Sequence, residues 1–260
     1  MMKNRLEHIK GIEERQFIKS IIEYSIRSEQ QNRPILTHFY NKDWMQSLLT
    51  QYIPQNAYLS YGFFGGYEDA ERQILAISPY VLEEIEYGIG ILNIEVKTGI
   101  GKALSHRDYL GAIMGLGIER NTIGDIILHD VGAYVFVEMS MIPYIRSQLN
   151  SIGRYQKIQI EEIELEDMQI EKPKIKVVDS TVSTLRMDAV CASAFGISRG
   201  ECAKLIQGDK ARRNGLVVGV SDLIKEGDII TLRGHGKACL KSINGRTKKD
   251  RVHITIEKYI

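Results

Sequence analysis

The residues of this chain with the clearest chemistry are cations on and between short elements in its last third. Two predicted helices, residues 185–195 and 198–207, precede a tight turn at Asn214-Gly215. Lys and Arg neutralise phosphates, and folded RNA is recognised largely through its shape and backbone. No catalytic group is needed for that task. The predicted RNA-binding side chains are Arg186, Ser198, Arg199, Lys204, Lys210, Arg212, Arg213, Asn214, Arg233 and Lys237. We expect them to converge on one surface.

Ser198 opens the second of these helices. The sequence Ser198-Arg199-Gly200-Glu201 has the pattern of a capping box, and Gly208 is expected to end the helix. The first N–H groups of a helix lack partners within it, so they favour a phosphate near Ser198. A further group of cations, for which a solvated turn is the simpler interpretation, consists of Arg246, Lys248, Lys249 and Arg251.

The charge of the chain is distributed unevenly. Residues 171–260 hold 18 Lys and Arg against 10 Asp and Glu, a formal charge of +8. Residues 1–170 hold the other 16 Lys and Arg and 23 Asp and Glu, a formal charge of −7. This asymmetry is typical of a nucleic-acid-binding module joined to a body without general affinity for polyanions. A charge bias without function is the alternative.

The cysteines and the apolar runs exclude several classes of protein. Cys191, Cys202 and Cys239 lack a Cys-x-x-Cys pair and a nearby His at zinc-ligand spacing. They predict buried or half-buried thiols in a reducing compartment, without a metal or cofactor. No apolar run approaches the roughly 18 residues needed to span a membrane, and the charged N-terminus lacks a signal-peptide core. We therefore expect a cytoplasmic protein.

Hydrophobic periodicity predicts an α+β fold for the first 170 residues. Helices are expected over 3–30 and 43–52, and strands over 58–64 and 72–77. The pattern then becomes strand, helix, strand, strand, helix, strand, over residues 91–96, 105–116, 125–128, 134–139, 142–149 and 157–163. That order is the split βαβ arrangement of ferredoxin-like and RNA-recognition-motif folds. Ser105 and Asp108 resemble a capping box at the start of the first of these helices.

Two aromatic residues invite a choice of interpretation. Tyr134 and Phe136 alternate on one predicted strand, where an RNA-recognition motif stacks bases. The basic and glycine pattern expected before them is poor, so we favour packing in the core.

Three regions are expected along the chain. They are an N-terminal helical and α+β region over 1–80, a central ferredoxin/RRM-like domain over 81–172, and a C-terminal domain over 181–260 that ends in a β-hairpin. The acidic residues 161–171, then Pro173 and alternating lysines at 172, 174 and 176, predict a linker or an edge extension with a boundary near residue 173. Asn244-Gly245 is a candidate turn before a final strand over 252–256.

Residues 185–233 resemble the RNA-binding domain named after small-subunit ribosomal protein S-four. The matching residues are Arg186 and Asp188, Ser198-Arg199, Ala203, Ile206, Gly208, Asn214-Gly215, Val218, Gly227-Asp228 and Ile230. The chain departs from the usual pattern at Met187 and Ala211, and both are apolar exchanges. The resemblance implies an S-four-like RNA-binding domain in residues 181–260.

Most of residues 60–260 resembles the YlmH-type proteins. The matching segments are 65–67, 70–72, 105–118, 124–126 and 233–249. The resemblance implies binding to a large ribosomal subunit that carries a stalled peptidyl-tRNA, in ribosome-associated quality control, with a link to cell division. Ribosomal RNA and tRNA are then the expected partners of a monomeric protein that binds no membrane.

The rival hypothesis is an RNA-modifying enzyme that uses the same RNA-binding module. A pseudouridine synthase would need its catalytic Asp after Arg-Leu, and Arg107-Asp108 lacks the Leu. An rRNA methyltransferase would need a Gly-rich cofactor loop after a strand, which we do not find. Because no nucleophile-base or paired-carboxylate arrangement is apparent, we predict a non-enzymatic protein without catalytic residues.

Overall fold

The computed structural model describes residues 9, 11–54, 58–96, 104–168 and 174–260. The chain forms two compact units, residues 1–170 and 171–260. Helices and antiparallel sheets occur together in the described ranges, which confirms the predicted α+β class. The predicted helical residues 3–8 and 10, and the boundary near residue 173, lie outside the described residues. The divisions at residues 80 and 181 stay predictions. None of the described helices combines the length and apolar character that crossing a membrane requires.

The first half of unit 1 is a three-stranded antiparallel sheet with two helices. Its elements are α1 (Ile12–Gln31), β1 (Ile35–Asn41), α2 (Lys42–Tyr52), β2 (Ser60–Phe64) and β3 (Arg72–Ser78), and the strand order is β1-β3-β2. The Asn41 side chain caps α2 by accepting the Trp44 N–H at 3.0 Å. Phe17, Ile18 and Ile21 form the buried face of α1. Both predicted helices and both predicted strands are confirmed, with shifted ends.

The second half of unit 1 follows the predicted order of elements. They are β4 (Ile89–Val96), α3 (His106–Met114), β5 (Ile123–His129), β6 (Gly132–Glu138), α4 (Ile142–Gln148) and β7 (Ile158–Ile163). The strands form one antiparallel sheet in the order β5-β6-β4-β7. The predicted capping box of α3 is present, and Asp108 accepts the Ser105 N–H at 2.7 Å.

The side chains of Tyr134 and Phe136 are part of the protein interior. Tyr134 is 8% exposed and Phe136 is fully buried. The His129 ring stacks on Tyr134 with centroids 4.3 Å apart, and the Tyr67 ring lies 5.0 Å from Phe136. This confirms the interpretation as core packing.

Unit 2 is a six-stranded antiparallel sheet with two helices on one face. Its elements are β8 (Ile175–Val182), α5 (Met187–Phe195), α6 (Arg199–Gln207), β9 (Ala211–Arg213), β10 (Leu216–Val217), β11 (Ile229–Leu232), β12 (Gly236–Arg246) and β13 (Val252–Tyr259). The strand order is β10-β9-β11-β12-β13-β8. Val190, Ile206, Leu232 and Ile254 belong to the core between helices and sheet. Cys191 and Cys202 are buried and Cys239 is half-buried, all as free thiols, as predicted.

For unit 2 one open choice is decided and one prediction is wrong. Of the linker or edge extension expected near residue 173, the structure has the edge extension: β8 is an edge strand that pairs along its whole length with β13, from Ile175 opposite Tyr259 to Val182 opposite Val252. Asn244-Gly245 is not the hairpin turn, because it lies inside β12 at a register shift between Ile243 and Arg246. The chain turns after Arg246, where the Thr247 N–H donates to the Arg251 carbonyl at 2.8 Å.

The turn at Asn214-Gly215 is confirmed and is tied to a neighbouring strand. Both residues have positive φ, 49° and 77°, as a two-residue hairpin of the primed type requires. The Asn214 amide oxygen accepts the Ile229 N–H at 2.7 Å, and its nitrogen donates to Asp228 at 2.7 Å. The side chain therefore fixes the hairpin to the start of β11.

We predict that Asn214→Ala exposes the amide of Ile229 to exchange. The variant removes an acceptor, and it places Ala at a strained φ, together worth about 2 kcal/mol. Native-state hydrogen exchange at Ile229 should accelerate by about 30-fold. The control is Asn244→Ala, since the exposed Asn244 amide donates only to Thr255; it should leave Ile229 unaffected. Unchanged exchange in Asn214→Ala would contradict the structural role of this turn.

Candidate nucleic-acid interface

A buried carboxylate joins the beginnings of α5 and α6. Asp188 lies in the first turn of α5 and is 6% exposed. Arg199 Nη2 donates to Asp188 Oδ2 at 2.6 Å, and Arg186 Nε donates to Oδ1 at 3.2 Å. Burial alone would raise the pKa of Asp188, but hydrogen bonds and charges from the two arginines outweigh it and lower the pKa. Asp188 is therefore a stable anion between two cations.

The local sequence places both arginines where helices begin. Arg186 is the N-cap residue of α5, and Arg199 is the first residue of α6. Their side chains remain 37% and 49% exposed. A guanidinium carries five N–H donors, so each arginine keeps donors beyond those that face Asp188. Two guanidinium groups held this way suit bidentate binding of phosphate oxygens.

Arg213 joins this pair from the sheet. Its Nη1 donates to the Leu223 carbonyl at 2.6 Å. Leu223 in turn forms an isolated backbone bridge with Arg186. We call Arg186, Arg199 and Arg213 the arginine cluster. With Asp188 included, the four charges sum to a formal +2.

Arg212 and Lys237 lie on the other face of the sheet. Successive strand residues point to opposite faces, and Ala211 beside Arg212 is buried toward the helices. Arg212 pairs with Thr231, which pairs with Lys237, so the three share one row. The Lys237 ammonium lies 5.5 Å from the centre of the Tyr259 ring. The face opposite the helices therefore carries its own cations.

The other predicted residues divide between exposed cations and structural roles. Lys204, Lys210 and Arg233 are exposed, and the Arg233 N–H donates to the Lys210 carbonyl at 2.8 Å. The Ser198 hydroxyl accepts the Glu201 N–H at 3.1 Å, so one N–H predicted to await a phosphate is already bonded. Both ends of the Asn214 amide are used within the fold. We expected the ten predicted residues to converge on one surface. The structure does not bring all of them together.

Sequence reasoning gave Asp188 no part in the site. Its signal was present as an acidic residue two positions after Arg186, at the start of an otherwise apolar helix. A buried carboxylate in such a helix requires a cationic partner, because burying an unpaired charge is energetically costly. That Arg199, eleven residues later, supplies the shorter bond was not apparent from the sequence.

Comparisons with known proteins place this chain in a family. It is 31% identical over 249 residues to the ribosome-associated protein quality control protein P2 of Bacillus subtilis (strain 168), and the match covers 95% of each chain. A family model described as "Putative RNA-binding domain in YlmH" matches residues 83–167. The chain belongs to the YlmH-type family.

A solved structure of a YlmH protein supports the fold. The chain titled "Cell division protein ylmH from Streptococcus pneumoniae" matches with a TM-score of 0.53 and 22% identity, over 62% of this chain and 98% of that chain. At this identity the likeness concerns the fold alone.

Segments that carry the YlmH resemblance meet at Asp125 in unit 1. Its carboxylate accepts the Tyr67 hydroxyl at 2.9 Å, the Glu71 N–H at 2.7 Å and the Arg72 N–H at 3.1 Å. Burial raises the pKa of Asp125, although these hydrogen bonds oppose it. Burial also lowers the pKa of Arg72 to about 10. The network joins β3 to β5 and has a structural role in the YlmH fold.

Gly66 belongs to segment 65–67 of the YlmH resemblance, and the structure explains why glycine is needed there. The φ of Gly66 is +98°, and a Cβ there would lie 2.3 Å from Phe136 Cδ1. Only glycine lets the backbone pass this closely over the buried ring.

We predict that the stability conferred by Asp188 depends on pH. Its pKa is lowered in the folded protein, so the contribution is complete above the unfolded value of about 3.9 and is lost as pH falls through the folded value. Asp188→Asn should therefore destabilise unit 2 by about 1 kcal/mol at pH 7, after allowance for the exposure of both arginines. The difference should shrink as the pH falls below about 3.9 toward the folded value.

Hydrogen exchange of the α5 amides at pH 7 and pH 3, as protection relative to wild type, measures this difference. Asp209→Asn is the control, because Asp209 is exposed on the same unit and its φ of 54° suits Asn. A difference for Asp188→Asn that is as large at pH 3 as at pH 7 would contradict the charge-based account.

Proposed function

We propose that this protein is a non-enzymatic RNA-binding factor that acts on the large ribosomal subunit. In this proposal it contacts ribosomal RNA and peptidyl-tRNA on stalled ribosomes, in ribosome-associated quality control in the cytoplasm. The observation that carries the proposal is the arginine cluster, in which Asp188 holds Arg186 and Arg199 at the starts of two helices. Partly exposed guanidinium groups in fixed positions suit a ribose-phosphate backbone.

The family supports the partner. The Bacillus subtilis relative is named for ribosome-associated quality control, and the matched family model is named for RNA binding. The formal charge of +8 on residues 171–260 favours a polyanion as the ligand of unit 2.

Co-sedimentation of the purified protein with separated ribosomal subunits tests the proposal. We expect it to sediment with large subunits in preference to small ones. The opposite distribution would contradict the proposal. A change in the mass of any ribosomal RNA nucleoside after incubation would instead favour the alternative, an RNA-modifying enzyme.

We predict that Arg199→Ala combined with Arg213→Ala weakens binding to large-subunit ribosomal RNA. Each lost phosphate contact should lower the slope of log affinity against log salt by about 0.7 to 1, so the double variant loses roughly 1.5 to 2. Filter binding at several salt concentrations measures the slope.

The matched control for this variant is Lys248→Ala with Lys249→Ala. It removes the same charge from exposed residues of the last turn in unit 2. A second pair, Arg199→Lys with Arg213→Lys, keeps the charge and should retain most of the slope while affinity falls. If the alanine pair bound like its control, the arginine cluster would not be the RNA site.

A further inference from the structure

The four-stranded sheet of unit 1 carries no cations. The strands β4, β5, β6 and β7 are described in full, and none of them contains Lys or Arg. On the face away from the helices, Glu95, Glu138 and Glu161 alternate with buried residues that face α3 and α4. Carboxylates here repel phosphates, so this face does not favour an RNA backbone.

The aromatic positions of that face are also filled by the protein itself. Tyr134 is covered by His129, and Phe136 is covered by Tyr67. A base could stack there only if these contacts were broken. The surface that an RNA-recognition motif uses is therefore closed and acidic in this chain.

The helix side of the same sheet carries a group of cations, with the carboxylates of Asp108 and Glu162 on the same side. Residues 139–160 contain Arg146, Arg154 and Lys157 but no Asp or Glu, and α3 contributes Arg107. All four cations are exposed. Among the contacts of the described residues, none of the four pairs with a carboxylate. The adjacent Asp108 accepts hydrogen bonds from Ser105, so part of its capacity is used within the capping box.

Arg107 and Arg146 belong to one surface because α3 and α4 pack on the same face of the sheet. Tyr109, Ile113, Ile142 and Ile145 are buried in one core, so the exposed side chains of both helices point away from the strands. The helices are linked at one end, where the Tyr144 hydroxyl donates to the Leu116 carbonyl at 3.0 Å.

At the other end of this surface, the loop after α4 passes close to the residues before α3. A Cβ at Gly153 would lie 3.9 Å from Leu104 Cδ2. Arg154 follows Gly153, and Arg107 lies three residues after Leu104, in the first turn of α3. Both arginines therefore lie at the end where α3 begins and the loop after α4 passes.

Aromatic rings accompany these cations. Tyr144 is 46% exposed on α4. The Arg154 guanidinium lies 5.1 Å from the centre of the Tyr155 ring and donates to its hydroxyl at 3.0 Å. Rings among cations are suited to unpaired bases beside a phosphate backbone.

We propose that this helix-face patch, defined as Arg107, Tyr144, Arg146 and Arg154, is a second RNA-binding surface of the protein. Its ligand is a segment of folded RNA with an accessible backbone and an unpaired base at Tyr144. The inference rests on the proposed RNA-binding function and assigns unit 1 a contact of its own. The face of the four-stranded sheet away from the helices takes no part in it.

The test uses the full chain and large-subunit ribosomal RNA as the probe. The variant Arg107→Ala, Arg146→Ala, Arg154→Ala should bind at least about tenfold more weakly at 0.1 M salt, with a salt slope lower by about 2 to 3. The matched control is Lys19→Ala, Arg27→Ala, Arg33→Ala, which removes the same charge from exposed residues of unit 1. It should bind like wild type. The triple lysine variant of the same three arginines should retain the salt slope.

The outcomes separate this inference from the proposed function. If wild type fails to bind the RNA, the proposed function fails. If the arginine-cluster variant binds weakly but the helix-face variant matches its control, the inference fails alone. A helix-face variant that binds naked RNA normally but loses binding to intact large subunits would assign the patch to a ribosomal protein and overturn the inference. Circular dichroism confirms that each variant is folded.

Discussion

The arginine cluster of unit 2 depends on one carboxylate that requires cationic partners. Asp188 is buried at the beginning of α5, where an unpaired anion would cost several kcal/mol. Arg186 and Arg199 stabilise it, and in doing so they are held beside each other at two helix starts. The backbone bridge between Arg186 and Leu223, together with the bond from Arg213 to Leu223, extends this arrangement to the sheet. The charges that stabilise the fold here are therefore the same ones that we propose bind RNA.

The elements that sequence predicted well are those with a local cause. The turn at Asn214-Gly215 requires positive φ at two successive residues, and Ser105 and Asp108 form a capping box within four residues. Both features can therefore be predicted from adjacent residues in the sequence. For residues 172–176, Pro173 and the alternating lysines are compatible with a linker and with an edge extension, and the sequence does not choose between them. The partner of β8, β13, lies about 75 residues later, and no local pattern specifies that pairing. Asn244-Gly245 has the sequence of a hairpin turn, but in the structure it forms a bulge within β12.

The composition of the candidate site was easier to predict than its geometry. A count of charges identifies unit 2 as basic, yet adjacent residues of a strand face opposite ways, so Arg212 and Arg213 belong to different surfaces. That consequence followed from the predicted hairpin and could have been drawn from the sequence. The bond between Asp188 and Arg199 could not, because it needs the packing of α5 against α6. The net charge of residues 1–170 is −7, but residues 139–160 contain no Asp or Glu. The total charge therefore gives no indication of this local excess of cations.

The most direct test of the central claim is the affinity of Asp188→Asn for large-subunit ribosomal RNA at 0.1 M salt. The substitution removes a negative charge beside the arginine cluster, so simple electrostatics predicts tighter binding. If Asp188 instead positions the two arginines, their loss of order should lower the affinity by about threefold or more despite the added net charge. Weaker binding is the result that this account predicts. Tighter binding with a steeper salt dependence would contradict it.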